Sequence, residues 1–250
     1  MTVSLGPTAR SVTALAYGLV CHVCFALGVG AMILGMYSGM TRALGTLATP
    51  WSWIANAVLL AQFPVLHSAL LSARGRRILG RLAPGGAGAT LAPTTFVIIA
   101  GLQLMALFGM WSPSGVVWWR AQGAVLVLIT ALYALAWVLL GWSMLNAGLG
   151  LQTGTIGWTA LLGGRRPRYP PMPRTGLFRL TRQPIYVSFA LTLWTVAVWT
   201  PDQLVVAVVL TAYCVVGPWF KERRFRRIYG EAFDEYARQV PYWLPVRRVR

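Results

Sequence analysis

The first 201 residues carry no Asp and no Glu. The five acids are Asp202, Glu222, Glu231, Asp234 and Glu235, and four of them fall in one short C-terminal segment. Upstream of that segment lie long apolar runs separated by short stretches rich in arginine. A soluble domain keeps its surface in water with charges of both signs interspersed along the chain, and this chain does not. It reads as an integral membrane protein whose ionisable groups crowd at one membrane face. The search for function therefore narrows to that face, and above all to residues 179–245.

The formal charge of +17 raises the question of nucleic acid, because a basic patch is the electrostatic footprint of phosphate binding. With 57% hydrophobic residues and a mean hydropathy of +0.62, a membrane reading accounts for the charge better. Lys and Arg collect in the cytoplasmic loops of membrane proteins, so no nucleic-acid partner is expected. Cys21, Cys24 and Cys214 all sit in apolar runs, which argues against a disulfide framework. Cys21-His22-Val23-Cys24 has metal-like spacing, but on a helix His22 points about 100° away from the face that the two cysteines share. No second ligand cluster follows, so the three read as packing residues and no metal is expected.

A helical span needs about 20 mostly apolar residues. The candidates are 12–36, 51–71, 91–111, 121–145, 184–200 and 203–220. The last two are short and meet at Thr200-Pro201-Asp202, a turn that makes them a helical hairpin. Pro64 is expected to kink the second span, which membranes tolerate when neighbours satisfy the freed carbonyl. With six spans and the N-terminus inside, 20 of the 22 Lys and Arg fall on the inner side, as the positive-inside rule requires. The expectation is an all-α, polytopic protein forming a single membrane domain over 1–250. Four spans occupy 1–145; the fourth loop, hairpin and C-terminal helix occupy 146–250. Both termini would then be cytosolic.

The fourth loop, 146–182, shows no evident secondary structure and is rich in Gly and then Pro; loops of this length are usually functional or disordered. Phe225, Ile228, Tyr229, Ala232, Phe233 and Tyr236 recur at helical spacing between charged residues, the pattern of an amphipathic helix lying in the interface. Gly230 is placed to bend it. Residues 240–245 (Val-Pro-Tyr-Trp-Leu-Pro) follow as an extended aromatic strip. Taken alone, this segment is equally a plain membrane anchor.

Arg179-Leu-Thr-Arg182-Gln183-Pro184-Ile-Tyr186 enters the fifth span, with Pro184 suited to the first helical turn. Arg179 and Arg182, three apart, share a face fit for a carboxylate or phosphate; they also read as interface anchors. Glu222 closes the sixth span at the same level as Arg182, on the neighbouring helix. A carboxylate near a helix C-terminus opposes the macrodipole, so it needs a partner: Arg182 or a ligand cation.

Gly176-Leu-Phe-Arg-Leu-Thr-Arg-Gln-Pro-Ile-Tyr186, the hairpin, Lys221-Glu222-Arg223, and Tyr229-Gly-Glu-Ala-Phe-Asp-Glu-Tyr236 through Pro241 to Pro245 resemble the C-terminal core of the membrane methyltransferases. That group includes the isoprenylcysteine carboxyl and phospholipid methyltransferases. Its pattern is Arg-His-Pro-x-Tyr, a helical hairpin, a Glu-Glu pair and a Phe-Gly-x-x-Tyr-x-x-Tyr helix. Pro64-Val-Leu-His67-Ser68, the basic stretch after it and Thr94-Thr-Phe96 are similar to bacterial methanethiol S-methyltransferases. The resemblance implies S-adenosylmethionine as methyl donor. Arg179 or Arg182 would meet its carboxylate and Glu222 its ammonium, with Gln183, Pro184 and Tyr186 lining the pocket and Tyr236 on the adenosine. Gly148 and Gly150 would let backbone approach the ligand.

His67, an ionisable group within a span, would accept a thiol proton or bond a neighbouring helix. Three positions depart from the pattern: Gln183 stands for His, Ser188 for Gly, and Lys221 for the first Glu. Gln keeps a donor and an acceptor but takes no proton near neutral pH. The expected function is methyl transfer to a small lipophilic thiol, methanethiol giving dimethyl sulfide, with membrane lipid around it and the oligomeric state open. The alternatives are an isoprenylated or lipid-like acceptor, or a non-catalytic transporter or ligand-binding relative. Internal repeats would favour a transporter, and none is visible.

Overall fold

The computed structural model describes residues 6–83 and 86–244; Pro245, the last residue of the aromatic strip, and the basic tail after it lie outside the described residues. In chain order the elements are α1 (Pro7–Tyr37), α2 (Trp51–Leu70), α3 (Ala73–Leu82), α4 (Gly88–Gly109), β1 (Trp119–Arg120), α5 (Gly123–Asn146), α6 (Leu149–Gln152), α7 (Thr155–Leu162), α8 (Pro184–Trp194), β2 (Val198–Trp199), α9 (Pro201–Tyr229) and α10 (Glu231–Gln239), with a 3-10 turn at Gly176–Arg179. Apolar runs become helices because lipid offers no partner for an open peptide group. Among the described residues five helices, α1, α2, α4, α5 and α9, are long and apolar enough to cross a membrane, and α8 is a shorter apolar helix. The chain is a polytopic, nearly all-helical integral membrane protein. It divides into two compact units.

The first unit holds most of α1, then α2 to α4 and residues 149–169. Helices α1 and α4 touch through glycines: a Cβ on Gly28 would lie 2.5 Å from the Gly101 carbonyl oxygen, the close approach that small residues permit in membranes. Two polar contacts tie α2 to α4 and to the segment that follows it. Asn56 Nδ2 donates to the Ser112 carbonyl at 2.8 Å and its Oδ1 accepts from Ser112 N at 2.9 Å, and Gln103 Nε2 donates to Gln62 Oε1 at 2.8 Å. Helix α2 runs on through Pro64 without ending. Cys21 packs against backbone, its Sγ 3.4 Å from the Thr153 carbonyl.

Two stretches read as loops are helical. Ser72 caps α3 by accepting from Gly75 N at 3.0 Å, and α3 buries Leu79 while its arginines stay exposed. The fourth loop contains α6 and α7, the latter held by Thr94: Oγ1 donates to the Gly154 carbonyl at 2.7 Å and accepts from Trp158 N at 3.0 Å. Too short to show a period, α7 depends on this tertiary contact.

The second unit holds α5, α8, α9, α10, the strand pair and the C-terminal strip. The fifth predicted span, 184–200, is helical only to Trp194. Its 11 residues rise about 16 Å, roughly half of the ~30 Å hydrocarbon core. The chain then bends through Thr195 and Ala197 into β2, which pairs antiparallel with β1, Trp119 opposite Trp199. Such backbone persists at membrane depth only where protein covers it, and Val196, Ala197 and Val198 are all buried. Gln203 Nε2 satisfies the freed Leu193 carbonyl at 2.8 Å. At the turn, Thr200 Oγ1 accepts from Gln203 N at 2.9 Å and donates to the Gly39 carbonyl at 2.7 Å. Asp202 accepts from Ser114 N at 3.0 Å.

The sixth predicted span, 203–220, does not stop there: α9 is one 29-residue helix to Tyr229. Gly230 then breaks the chain into α10. Pro218 lies inside α9, so the Cys214 carbonyl, four residues back, loses its helical partner. The C-terminal strip supplies one, with Trp243 Nε1 donating to Cys214 O at 3.2 Å and Tyr242 Oη to Val215 O at 2.7 Å. Trp243→Phe is expected to cost about 1–3 kcal/mol, the penalty of an orphaned buried carbonyl. In a Pro218→Ala background a new N–H serves that carbonyl, so the Trp243→Phe cost should largely vanish. Unfolding midpoints of the four chains in detergent read this coupling.

Candidate functional site

The candidate residues converge where the 3-10 turn, the start of α8, the C-terminal half of α9, α10 and the strip meet. The turn exists because Gly176 takes φ +59°. A Cβ there would fall 2.1 Å from Asn146 Oδ1, the atom that accepts from Leu177 N at 3.0 Å. The chain then passes Thr181, whose Oγ1 accepts from Gln183 N at 3.2 Å, and starts α8 at Pro184, where a missing N–H costs nothing. This sends Arg182 and Gln183 toward α9.

There they meet Glu222, which is 5% exposed. Arg182 Nε lies 3.2 Å from Glu222 Oε1, and Gln183 Nε2 donates to the same oxygen at 2.8 Å. Arg226 Nη2 stands 3.8 Å from Oε2, beyond hydrogen-bond length. Arg182 also donates from Nη1 to the Ala237 carbonyl at 3.2 Å and from its backbone N to Pro241 O at 3.0 Å. Its guanidinium sits 5.6 Å from the Tyr242 ring centroid. The helix-dipole argument for a Glu222 partner does not hold, because α9 continues past Glu222 to Tyr229 and the dipole effect is confined to the last turn. Burial is what demands the partners.

Lys221, the adjacent residue, turns inward as well. Its Nζ donates to Gln183 Oε1 at 2.7 Å and lies 5.6 Å from the Tyr186 and Phe225 ring centroids and 5.8 Å from that of Phe178. Tyr236 is buried on α10 and donates to the Phe178 carbonyl at 2.7 Å. Burial pushes its phenol above the ordinary value, and burial likewise pushes Tyr242 up to about 12, so both stay protonated donors near neutral pH. On its other side Tyr236 lines a groove of about 360 Å³ with Arg174, Arg179, Glu235, Gln239 and Val240. Met172, Phe233 and Tyr236 form a small buried core cluster.

Arg182, Gln183, Glu222, Pro184, Tyr186 and Tyr236 are thus gathered into one neighbourhood, and Arg179 shares the groove with Tyr236. Gly148, at φ +92°, abuts Pro170: an added Cβ would sit 2.7 Å from Pro170 Cγ. Its close approach is to the Pro-rich stretch. Ser188 is buried with its Oγ 3.4 Å from that of Ser143, so it packs between α5 and α8. His67 and Gly150 belong to the first unit. The His67 ring lies 5.1 Å from Phe63 and 4.9 Å from Phe96, and its buried Nδ1 makes no hydrogen bond among the described residues. A Cβ on Gly150 would meet Ile156 at 3.0 Å. The sequence reading passed over Arg226, although its position four residues after Glu222 on one helix was a usable signal.

Among known proteins, no family model and no solved structure matches this chain. Curated relatives do. A protein of Bradyrhizobium diazoefficiens named methanethiol S-methyltransferase 1 is 27% identical over 241 residues, covering 94% of this chain and 83% of the relative. A methanethiol S-methyltransferase of a Pseudomonas species is 26% identical over 242 residues, covering 93% and 90%. One from Mycobacterium tuberculosis is 29% identical over 202 residues, covering 77% and 78%. The resemblance carried by the C-terminal motifs and by the second and third spans is therefore matched along the chain, which over most of its length is similar to proteins named methanethiol S-methyltransferase.

Proposed function

We propose that this protein is an S-adenosylmethionine-dependent membrane methyltransferase acting on a small lipophilic thiol, with methanethiol as substrate and dimethyl sulfide as product. The observation that carries the reading is the buried Glu222 held by Arg182 and Gln183, in a chain similar over most of its length to proteins named methanethiol S-methyltransferase. The split of basic residues supports a cytosolic position for both termini, and the bacterial relatives support an inner-membrane location.

The side chains fit the donor's charges. Glu222 Oε2, with only the 3.8 Å contact to Arg226, is the oxygen left for an ammonium. Arg182 and Arg179 are the candidates for a carboxylate. Tyr236 lines the groove with its hydroxyl already donated to the Phe178 carbonyl, which leaves its ring as the surface for a nucleoside. When bound, S-adenosylmethionine supplies an electrophilic methyl on a sulfonium: the new S–CH₃ bond would form as the methyl–sulfonium bond breaks, leaving the neutral thioether S-adenosylhomocysteine, with the thiol proton passing to water or to His67. Tyr236 and Tyr242 stay protonated, so neither acts as a base, and Gln183 takes no proton. The contribution of this group is orientation and exclusion of water, and alignment alone supplies about 7–11 kcal/mol of barrier reduction.

Purified protein, supplied with methyl-labelled S-adenosylmethionine and a panel of short alkyl thiols, is expected to release labelled dimethyl sulfide from methanethiol fastest. Transfer only to a prenylcysteine analogue would move the assignment to a lipid-like acceptor. No transfer to any acceptor would remove the enzyme reading. In the same assay, loss of transfer by His67→Phe with donor binding intact would assign the thiol proton to His67, and unchanged transfer would leave it as a packing residue.

A further inference from the structure

Gln183 and Lys221 are two of the departures from the pattern this chain resembles, and they touch. Lys221 Nζ donates to Gln183 Oε1 at 2.7 Å, and Gln183 Nε2 donates to Glu222 Oε1 at 2.8 Å. An ammonium only donates and an ionised carboxylate only accepts, whereas an amide has one end of each kind. Lys221 and Glu222 therefore read the amide in a single sense. Gln183 is 1% exposed, so water cannot take over either end. The rings of Phe178, Tyr186 and Phe225 hold the ammonium at its post, a favourable surrounding for a desolvated cation.

We propose that Lys221 is a positioning residue: it fixes the Gln183 amide with its NH₂ on Glu222, so that Gln183 and Lys221 act as one unit in presenting Glu222 to the donor. This rests on the reading that the Glu222 cluster binds S-adenosylmethionine. The consequence is a dependence between two positions. A carboxylate at 221 faces Gln183 Oε1 with no donor; turning the amide round satisfies it but puts the amide oxygen against Glu222. A protonated imidazole at 183 donates from both nitrogens and serves two carboxylates at once. A neutral imidazole accepts at one nitrogen and donates at the other, and so also serves the Lys221–Glu222 pair.

The test is a four-chain cycle of wild type, Lys221→Glu, Gln183→His and the double variant, each purified full length, with S-adenosylmethionine affinity measured by calorimetry. Lys221→Glu is expected to cost about 30-fold in affinity in the Gln183 background, the scale of a lost charged hydrogen bond. In the Gln183→His background the same change is expected to cost no more than about 3-fold. The double variant alone should also lose affinity as pH rises through the imidazolium range, which two flanking carboxylates shift upward. A merely structural role for Lys221 would not produce that profile. An equal cost of Lys221→Glu in both backgrounds, or a double variant without the added pH dependence, overturns the proposal. Should the wild type bind no donor, the proposed function fails on its own. The ligand-free unfolding midpoints of the four chains then decide the coupling: recovery in the double variant supports it, and no recovery overturns it.

Discussion

Glu222→Gln is expected to lower S-adenosylmethionine affinity by about 100-fold, near 2.7 kcal/mol, and to lower the unfolding midpoint of the ligand-free protein. Glu231→Gln, on the exposed first turn of α10, should leave both near wild type. Both substitutions remove one carboxylate from the same C-terminal segment and keep its shape. They differ in surroundings. Glu222 is buried against Arg182, with Gln183 donating to the oxygen that Arg182 also faces. An amide there must turn its oxygen to these donors and its NH₂ toward Arg226, which stands 3.8 Å from Oε2. Arg182 is left without an opposing charge, and breaking a buried pair costs about 3–5 kcal/mol; because Arg226 is half-exposed and stays hydrated, the lower end applies. Thermal unfolding in detergent with and without donor separates the two effects. A ligand at 100 times its Kd adds about 2.7 kcal/mol to the wild type, and Glu222→Gln, at the same concentration, should keep only about 0.4 kcal/mol of that increment. Equal behaviour of the two variants would remove Glu222 from the donor site.

That contrast was partly visible in the sequence, and the reasons are physical. Hydropathy over about 20 residues reports burial in lipid, because the desolvation of a single charge outweighs local preferences; so α1, α2, α4, α5 and α9 were legible. The hairpin turn at Thr200-Pro201-Asp202 brought Arg182 and Glu222 to one level, and they lie 3.2 Å apart. Gly230 was legible as a break and Pro184 as a helix start. What hydropathy could not distinguish was helix from covered strand. Residues 196–199 are apolar either way, and the strand at Val198–Trp199 depends on a partner, Trp119–Arg120, some 80 residues earlier. Helix α7 was missed because its eight residues fall below the length at which a period shows, and its anchor, Thr94, is remote. Lys221 stood out only as a mismatch to a pattern. Its contact with Gln183 crosses two helices, and no spacing along one chain encodes a pair of amide ends.

Arg182→Lys is expected to weaken donor binding by about 30-fold, near 2 kcal/mol, although it keeps the charge. The guanidinium performs several tasks from one planar head. It faces Glu222 at 3.2 Å through Nε, donates from Nη1 to the Ala237 carbonyl at 3.2 Å, and lies 5.6 Å from the Tyr242 ring centroid. An ammonium has no fork and no face to stack, so at a site of this kind the change is not conservative. It must choose between the ion pair with Glu222 and the Ala237 carbonyl, and a lost hydrogen bond from a charged group to that carbonyl costs about 1.5–3 kcal/mol. The Ala237 contact matters beyond its own energy, because it ties α10 to the start of α8 beside Tyr236. Arg179→Lys is the informative comparison. Arg179 is exposed on the groove, and its only proposed task is to meet a carboxylate, which an ammonium also does as a point charge. The two variants therefore separate the roles that the sequence left open. A large loss of affinity from Arg182→Lys, accompanied by a lower ligand-free midpoint, assigns both the structural hold on Glu222 and the grip on the donor to Arg182. A larger loss from Arg179→Lys with an unchanged midpoint would move the donor's carboxylate into the groove and leave Arg182 as the brace of Glu222 alone.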